Sequence, residues 1–119
     1  MSEIDGETLA MFTQLYQDFN ARHADLVLEQ MTHDVHWPNG WEGGYVEGHE
    51  AVKEYWTRQW AEIDPKVTPV ELNLVAGGSV DVTVHQLVKD HAGSVLSDST
   101  VHHVYELDQG LITRMEIHD

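Results

Sequence analysis

The stretch VHHVYELDQGLITRMEI, residues 101–117, decides the fold. Successive side chains of a strand point to opposite faces. A strand from about 95 to 107 therefore puts Val101, His103, Tyr105 and Leu107 on one face. Its other face carries Asp98, Thr100, His102, Val104 and Glu106. Asp108-Gln109-Gly110 reads as a hairpin turn, with glycine supplying the positive φ that such turns need. The chain then returns with Leu111, Thr113, Met115 and Ile117 facing in, and Arg114, Glu116 and His118 facing out.

Working back from this hairpin, Val80, Val82, Val84 and Val88 share one strand face with Gln86, while Asp81, Thr83, His85 and Lys89 share the other. Gly93 marks the intervening turn. Before the Gly77-Gly78 turn, Val70, Leu72 and Leu74 alternate with Glu71 and Asn73 as a half-buried strand. Ahead of Pro65 the period becomes helical. Leu9, Phe12, Leu15, Tyr16 and Phe19 form one face of a helix over 6–20, with Asp5 as its N-cap. A short helix over 24–31 carries Leu26, Val27, Leu28 and Met31. A third over 48–63 carries Val52, Tyr55, Trp56, Trp60 and Ile63, and ends at Asp64-Pro65 because proline disfavours helix in the residue before it. A short strand fits 34–37. Helices gathered first and strands last argue for an α+β fold, in which a curved antiparallel sheet wraps the helices and leaves a cavity between them.

A chain of 119 residues with 41% hydrophobic side chains is long enough for one domain and one core. It has no cysteine, which excludes disulfides, a thiolate nucleophile and a zinc–thiolate site. No basic stretch leads into an apolar run at the N-terminus, and no apolar run approaches the roughly 20 residues of a membrane span. A soluble cytoplasmic protein is expected. With 21 acidic against 6 basic residues, the net charge of −15 repels phosphate backbones and anionic lipids, so neither nucleic acid nor membrane is an expected partner.

The segments YQDFNARHADLVLEQMTHDVHW (16–37), GHEAVKEYW (48–56) and VHHVYELDQGLITRMEI (101–117) together resemble the nuclear transport factor 2-like superfamily, in its SnoaL-like and ketosteroid isomerase-like branch. The resemblance covers nearly the whole chain and rests on the order and spacing of these elements. It implies a single SnoaL-like domain over 1–119 and a cone-shaped α+β barrel of cystatin-like type. It also implies an apolar pocket inside the cone, and a homodimer through the outer sheet face. Outward Leu87, Val104 and Ile112 are consistent with such a face. Relatives include isomerases, cyclases, dehydratases, hydrolases and non-catalytic binding proteins, so the fold carries over more readily than the activity. The isomerases' base position falls at Asn39, which cannot abstract a proton. Their penultimate-strand carboxyl position falls at His103, and their tyrosine position at or beside Leu15, next to Tyr16. No cofactor is implied.

His103 is the leading candidate, since its strand face points into the cone, and Gln86 interrupts the neighbouring valine face. An unpaired buried polar group costs roughly 1–3 kcal/mol, so the two must satisfy each other, water or a ligand. Imidazole suits proton transfer because its ordinary pKa is about 6.5. His103 as acid, base or oxyanion donor, oriented by Gln86, is one reading; a core histidine of purely architectural value is the other. Asp34 is a third catalytic candidate, or else a brace for the turn. In HDVHWPNGWEGGYVEG (33–48), Trp37 and Trp41 flank a Pro-Asn-Gly turn that folds an aromatic pair over the mouth of the cone. Trp56, Trp60, Tyr16, Tyr45, Val84, Val101, Tyr105 and Met115 complete the expected pocket, whose walls suit a small, mostly apolar, cyclic molecule. His33 and His36 lack a third ligand at a telling distance, so no metal site is assigned. The chain has no nucleophile elbow, phosphate loop or dinucleotide fingerprint. A pocket that is filled, in a binding or dimerisation module, stands as the alternative.

Overall fold

The computed structural model describes residues 6–40 and 42–118, without the side chain of Ala76. Asp5 and Trp41 lie outside the described residues. The chain runs α1 (Gly6–Asn20), α2 (Ala24–Leu28), β1 (Met31–Pro38), β2 (Tyr45–Glu47), α3 (His49–Glu62), β3 (Asp64–Leu74), β4 (Val80–Lys89), β5 (Val95–Asp108) and β6 (Leu111–His118). The strands form one six-stranded sheet in the order β2-β1-β6-β5-β4-β3. The fold is α+β, with the helices against the concave face of a curved, open sheet.

The periodicities place the core as expected. Phe12, Leu15 and Tyr16 are buried from α1, Val27 and Leu28 from α2, and Val52, Tyr55 and Trp56 from α3. They meet Val80, Val82, Val84, Val101, His103, Tyr105 and Met115 on the inner sheet face. Antiparallel β4–β5 pairing sets Val82 opposite His103, Val80 opposite Tyr105 and Val84 opposite Val101. Leu9 and Leu26, expected in helix cores, are exposed instead. No helix among the described residues is long and apolar enough to cross a membrane.

The departures from simple alternation are local. The sheet is mixed, because β1 runs parallel to β6. α2 stops at Leu28, before the expected end, and Met31 opens β1; the Gln30 carbonyl accepts the Ile112 N–H at 2.8 Å, so the chain leaves the helix to join the sheet. β3 begins at Asp64, directly after α3, and tolerates Pro65 and Pro69 because it is an edge strand. Val84 pairs with Pro69 while Thr83 pairs with Glu71, which leaves Val70 as the extra residue of a bulge, 65% exposed and not inward. In β6, Ile112 pairs with Leu107 while Arg114 pairs with Glu106, so Thr113 is extra. The phase flips there: Ile112, expected outside, is fully buried, and Leu111, expected inside, is exposed. Met115 returns to the inner face.

Candidate functional site

The inner face of β5 carries Val101, His103 and Tyr105 at alternate positions, and α1 lays Tyr16 across them. The Asn20 side chain fixes α1 there: its amide donates to the Val67 carbonyl at 2.8 Å, and its oxygen accepts the Val67 N–H at 2.9 Å. The Tyr16 hydroxyl lies 2.9 Å from His103 Nδ1 and 2.8 Å from the Tyr105 hydroxyl. These three side chains form one buried chain of hydrogen bonds. His103 Nε2 is buried and has no hydrogen-bond partner among the described residues. A neutral histidine is the consequence of this setting: burial pushes its pKa down to about 4. Burial raises both tyrosines, and for Tyr16 the neighbouring Tyr105 adds to the effect.

Two hollows adjoin this trio. The inner one, about 30 Å³, lies among Leu15, Tyr16, Val27 and Tyr105. The outer one, about 130 Å³, lies among Pro38, Gly40, Tyr55, Gln59, Pro65, Gln86, Met115 and Ile117. Phe19, Trp37, Val67 and His103 border both, so the hollows are two halves of one interior space. Among the described residues, no charged side chain lines either. Larger depressions beside Lys53 and beside Arg58 are open surface grooves away from this interior.

The other expected site residues divide sharply. Trp37 and Met115 are walls. Gln86 lines the outer hollow but does not orient His103, whose Nδ1 is bonded to Tyr16 and whose Nε2 is unbonded. Register explains this, since Gln86 pairs with Ser99, four residues before His103 on β5, whereas His103 pairs with Val82. Trp56 is fully buried behind the wall, edge-on to Trp37 at 5.0 Å. Val84 and Val101 are core residues beside each other and border neither hollow. Trp60 lies a helical turn beyond Trp56 and faces Arg22 outside, 5.3 Å from its guanidinium carbon. Asp34 is exposed, because β1 turns Val35 and Trp37 inward and leaves the alternate positions outside. Tyr45 is likewise outside: Val46, opposite Trp37, takes the inward phase, and the Tyr45 ring lies under Arg114 at 4.5 Å.

Val67 and Pro65 were missed from the expected site because the two prolines mask the first half of β3 as a strand. Tyr55 had a usable signal, one residue from Trp56 on a buried helix face. Its hydroxyl accepts the Gly40 N–H at 3.0 Å and so ties the 39–44 turn to α3 above the outer hollow. Asn39 serves that turn, its side-chain oxygen accepting the Glu42 N–H at 3.0 Å. Among the described residues, no three His, Asp or Glu side chains converge as metal ligands.

A family model described as the SnoaL-like domain matches residues 12–115. Among solved structures, TerC, co-crystallised with polyporic acid, is 25% identical with a TM-score of 0.79, over 94% of this chain and 91% of that one. Rv0760c from Mycobacterium tuberculosis, in complex with estradiol-17beta-hemisuccinate, is 21% identical with a TM-score of 0.78, over 92% and 91%. A nuclear transport factor 2-like protein of unknown function from Burkholderia pseudomallei is 21% identical with a TM-score of 0.81, over 96% and 91%. No curated protein matches the chain.

Proposed function

The chain belongs to the SnoaL-like domain family, and from that premise we propose that it binds a small, mostly apolar, cyclic molecule in the interior space beside His103. The observation that carries this reading is that His103, whose buried Nε2 has no partner among the described residues, lines a hollow with no charged side chain among those residues. A core histidine kept for architecture alone has both nitrogens to satisfy, and leaving one unmade is costly. The ring-bearing ligands of TerC and Rv0760c support the same use of the fold. The molecule works as a homodimer through the outer sheet face, where Leu87 and Val104 are half-exposed. It acts in the cytoplasm and without nucleic acid, in keeping with its acidic surface.

A second reading, cofactor-free isomerisation, cyclisation, dehydration or hydrolysis, is favoured by the Tyr105–Tyr16–His103 chain. Such neutral donors, held in place, stabilise charge growing on an oxygen. Among the described residues the walls offer no carboxylate to take a proton, which sets binding first. A thermal-shift screen of cyclic ketones, lactones, steroids and aromatic polyketide mimics tests the proposal, run on wild type, His103→Gln and Gln86→Leu. A ligand of the folded state raises Tm by mass action. Shifts that shrink in both variants are expected; shifts unchanged in both would place the ligand elsewhere, and no shift with any compound would refute ligand binding.

A further inference from the structure

The turn beside the outer hollow contains a reactive peptide bond. Of the chain's three asparagines, only Asn39 is followed by glycine. Such a pair is prone to ring closure, because glycine has no Cβ to keep its nitrogen from the neighbouring side-chain amide carbon. A regular strand would hold that nitrogen away, but β1 ends at Pro38 and Asn39 lies beyond it. Asn39 is half-buried and Gly40 is exposed, so water reaches the bond between them. The surroundings act on both reacting atoms. Asn39 Oδ1 accepts the Glu42 N–H at 3.0 Å, which stabilises the oxygen charge that builds when a nucleophile adds to Cγ. The Gly40 N–H, in contrast, donates to the Tyr55 hydroxyl at 3.0 Å. Tyr55 is itself fixed, with its side chain buried on α3. While this bond stands, the electron pair left by the Gly40 proton points at Tyr55 and not at Asn39 Cγ.

We propose that Asn39-Gly40 is a self-modification site of the folded protein, converting to aspartate and isoaspartate, and that Tyr55 restrains the conversion. Once the Tyr55 bond opens, hydroxide removes the Gly40 N–H proton as water. The nitrogen's electron pair forms a bond to Asn39 Cγ. The Cγ–Nδ2 bond breaks, and the leaving nitrogen takes a proton from water, departing as ammonia and restoring the hydroxide. The five-membered imide then takes up one water. Opening at its Cγ–N bond gives aspartate. Opening at the main-chain carbonyl–N bond gives isoaspartate, whose backbone runs through the former side chain. Aspartate puts a carboxylate where Asn39 Nδ2 donates to Glu42 Oε1 at 3.4 Å, so a weak attraction becomes a like-charge repulsion. Isoaspartate adds a carbon to the backbone of a turn closed by two bonds, Asn39 N–H to the Gly44 carbonyl and Gly43 N–H to the Asn39 carbonyl, each at 3.0 Å. Either product loosens the turn, and the loss of ammonia makes the change one-way. Pro38 and Gly40 line the outer hollow, so the new charge arrives at the rim of a space that has no charged side chain among the described residues.

The test holds the folded protein at pH 8 and follows the mass of the segment 33–48, beside a synthetic peptide of the same sequence. Exchange of the amide NH2 for OH raises the mass, and electron-transfer fragmentation tells isoaspartate from aspartate. The expected result is conversion at Asn39, slower than in the peptide, with Asn20 and Asn73 unchanged. Gly40→Ala should abolish it, since the added Cβ lies at an ordinary 3.6 Å from the Tyr55 hydroxyl and the turn tolerates it. Tyr55→Phe should speed conversion about fivefold, the worth of one neutral hydrogen bond. Asn20→Ala, which loosens the fold away from this turn, separates local restraint from general unfolding and should keep the wild-type rate. No conversion in the folded protein while the peptide converts would overturn the site. A Tyr55→Phe rate equal to that of wild type, or an Asn20→Ala rate raised as much as that of Tyr55→Phe, would overturn the restraint.

Discussion

Acid should weaken this fold through His103, and the size of the effect follows from its burial. In the unfolded chain the imidazole titrates near its ordinary value of 6.5, whereas in the folded protein burial holds it to about 4. As pH falls, the unfolded state takes up the proton first. The stability due to the neutral, buried ring is therefore complete above pH of about 6.5 and is lost as pH falls toward about 4. At about 1.4 kcal/mol for each pH unit of difference, the full loss is about 3 kcal/mol. Between pH 7 and pH 5, where the unfolded histidine charges and the folded one does not, it is about 2 kcal/mol. Urea denaturation at pH 7, 6 and 5 on wild type and His103→Gln measures it. Glutamine retains an oxygen to accept the Tyr16 hydroxyl but does not titrate. The other eight histidines and the carboxylates are common to both proteins, so the difference between the two curves reports His103. Wild type should lose about 2 kcal/mol more than the variant across this interval. Parallel curves would mean that His103 titrates normally, and the argument from a buried Nε2 with no partner among the described residues would fall with that result.

Two further substitutions probe the frame that holds the site. Asn20→Ala removes both bonds to Val67 and should cost about 2 kcal/mol in chemical denaturation. It should also weaken binding of any ligand found by the thermal-shift screen, because α1 carries Tyr16; an unchanged stability would show that the Asn20 bridge is dispensable. Gly48→Ala forces a side chain onto a backbone at φ 89° and ψ 160°, with its Cβ 3.4 Å from the His33 carbonyl oxygen. The expected loss is about 1–3 kcal/mol, read as a lower urea midpoint, and a neutral result would contradict the strain assigned to this junction between β2 and α3.

Much of the site was legible before any coordinates. Alternation along 101–107 put His103 and Tyr105 on the inner face, and helical spacing put Tyr16 in the core. Their meeting was not legible, because 87 residues separate Tyr16 from His103. A strand face says which way a side chain points, not which distant group it touches. For the same reason Gln86 was assigned to His103 by shared direction, although strand register sets it beside Ser99.

The sequence by itself determined the three helices, every strand but the short β2, the α+β class and the charge balance, because periodicity and composition are properties of neighbouring residues. Only the tertiary structure decided the bulges, each adding one residue to one strand of a pair: the one at Val70 turns that side chain out, and the one at Thr113 exchanges the faces of Ile112 and Leu111. It also decided that Asp34, Tyr45 and Trp60 lie off the interior, and that Val67 and Pro65 line it. The physical reason is the same in each case. Backbone pairing and side-chain packing between segments far apart in the chain fix which of two locally acceptable faces is buried, and no local pattern encodes that choice.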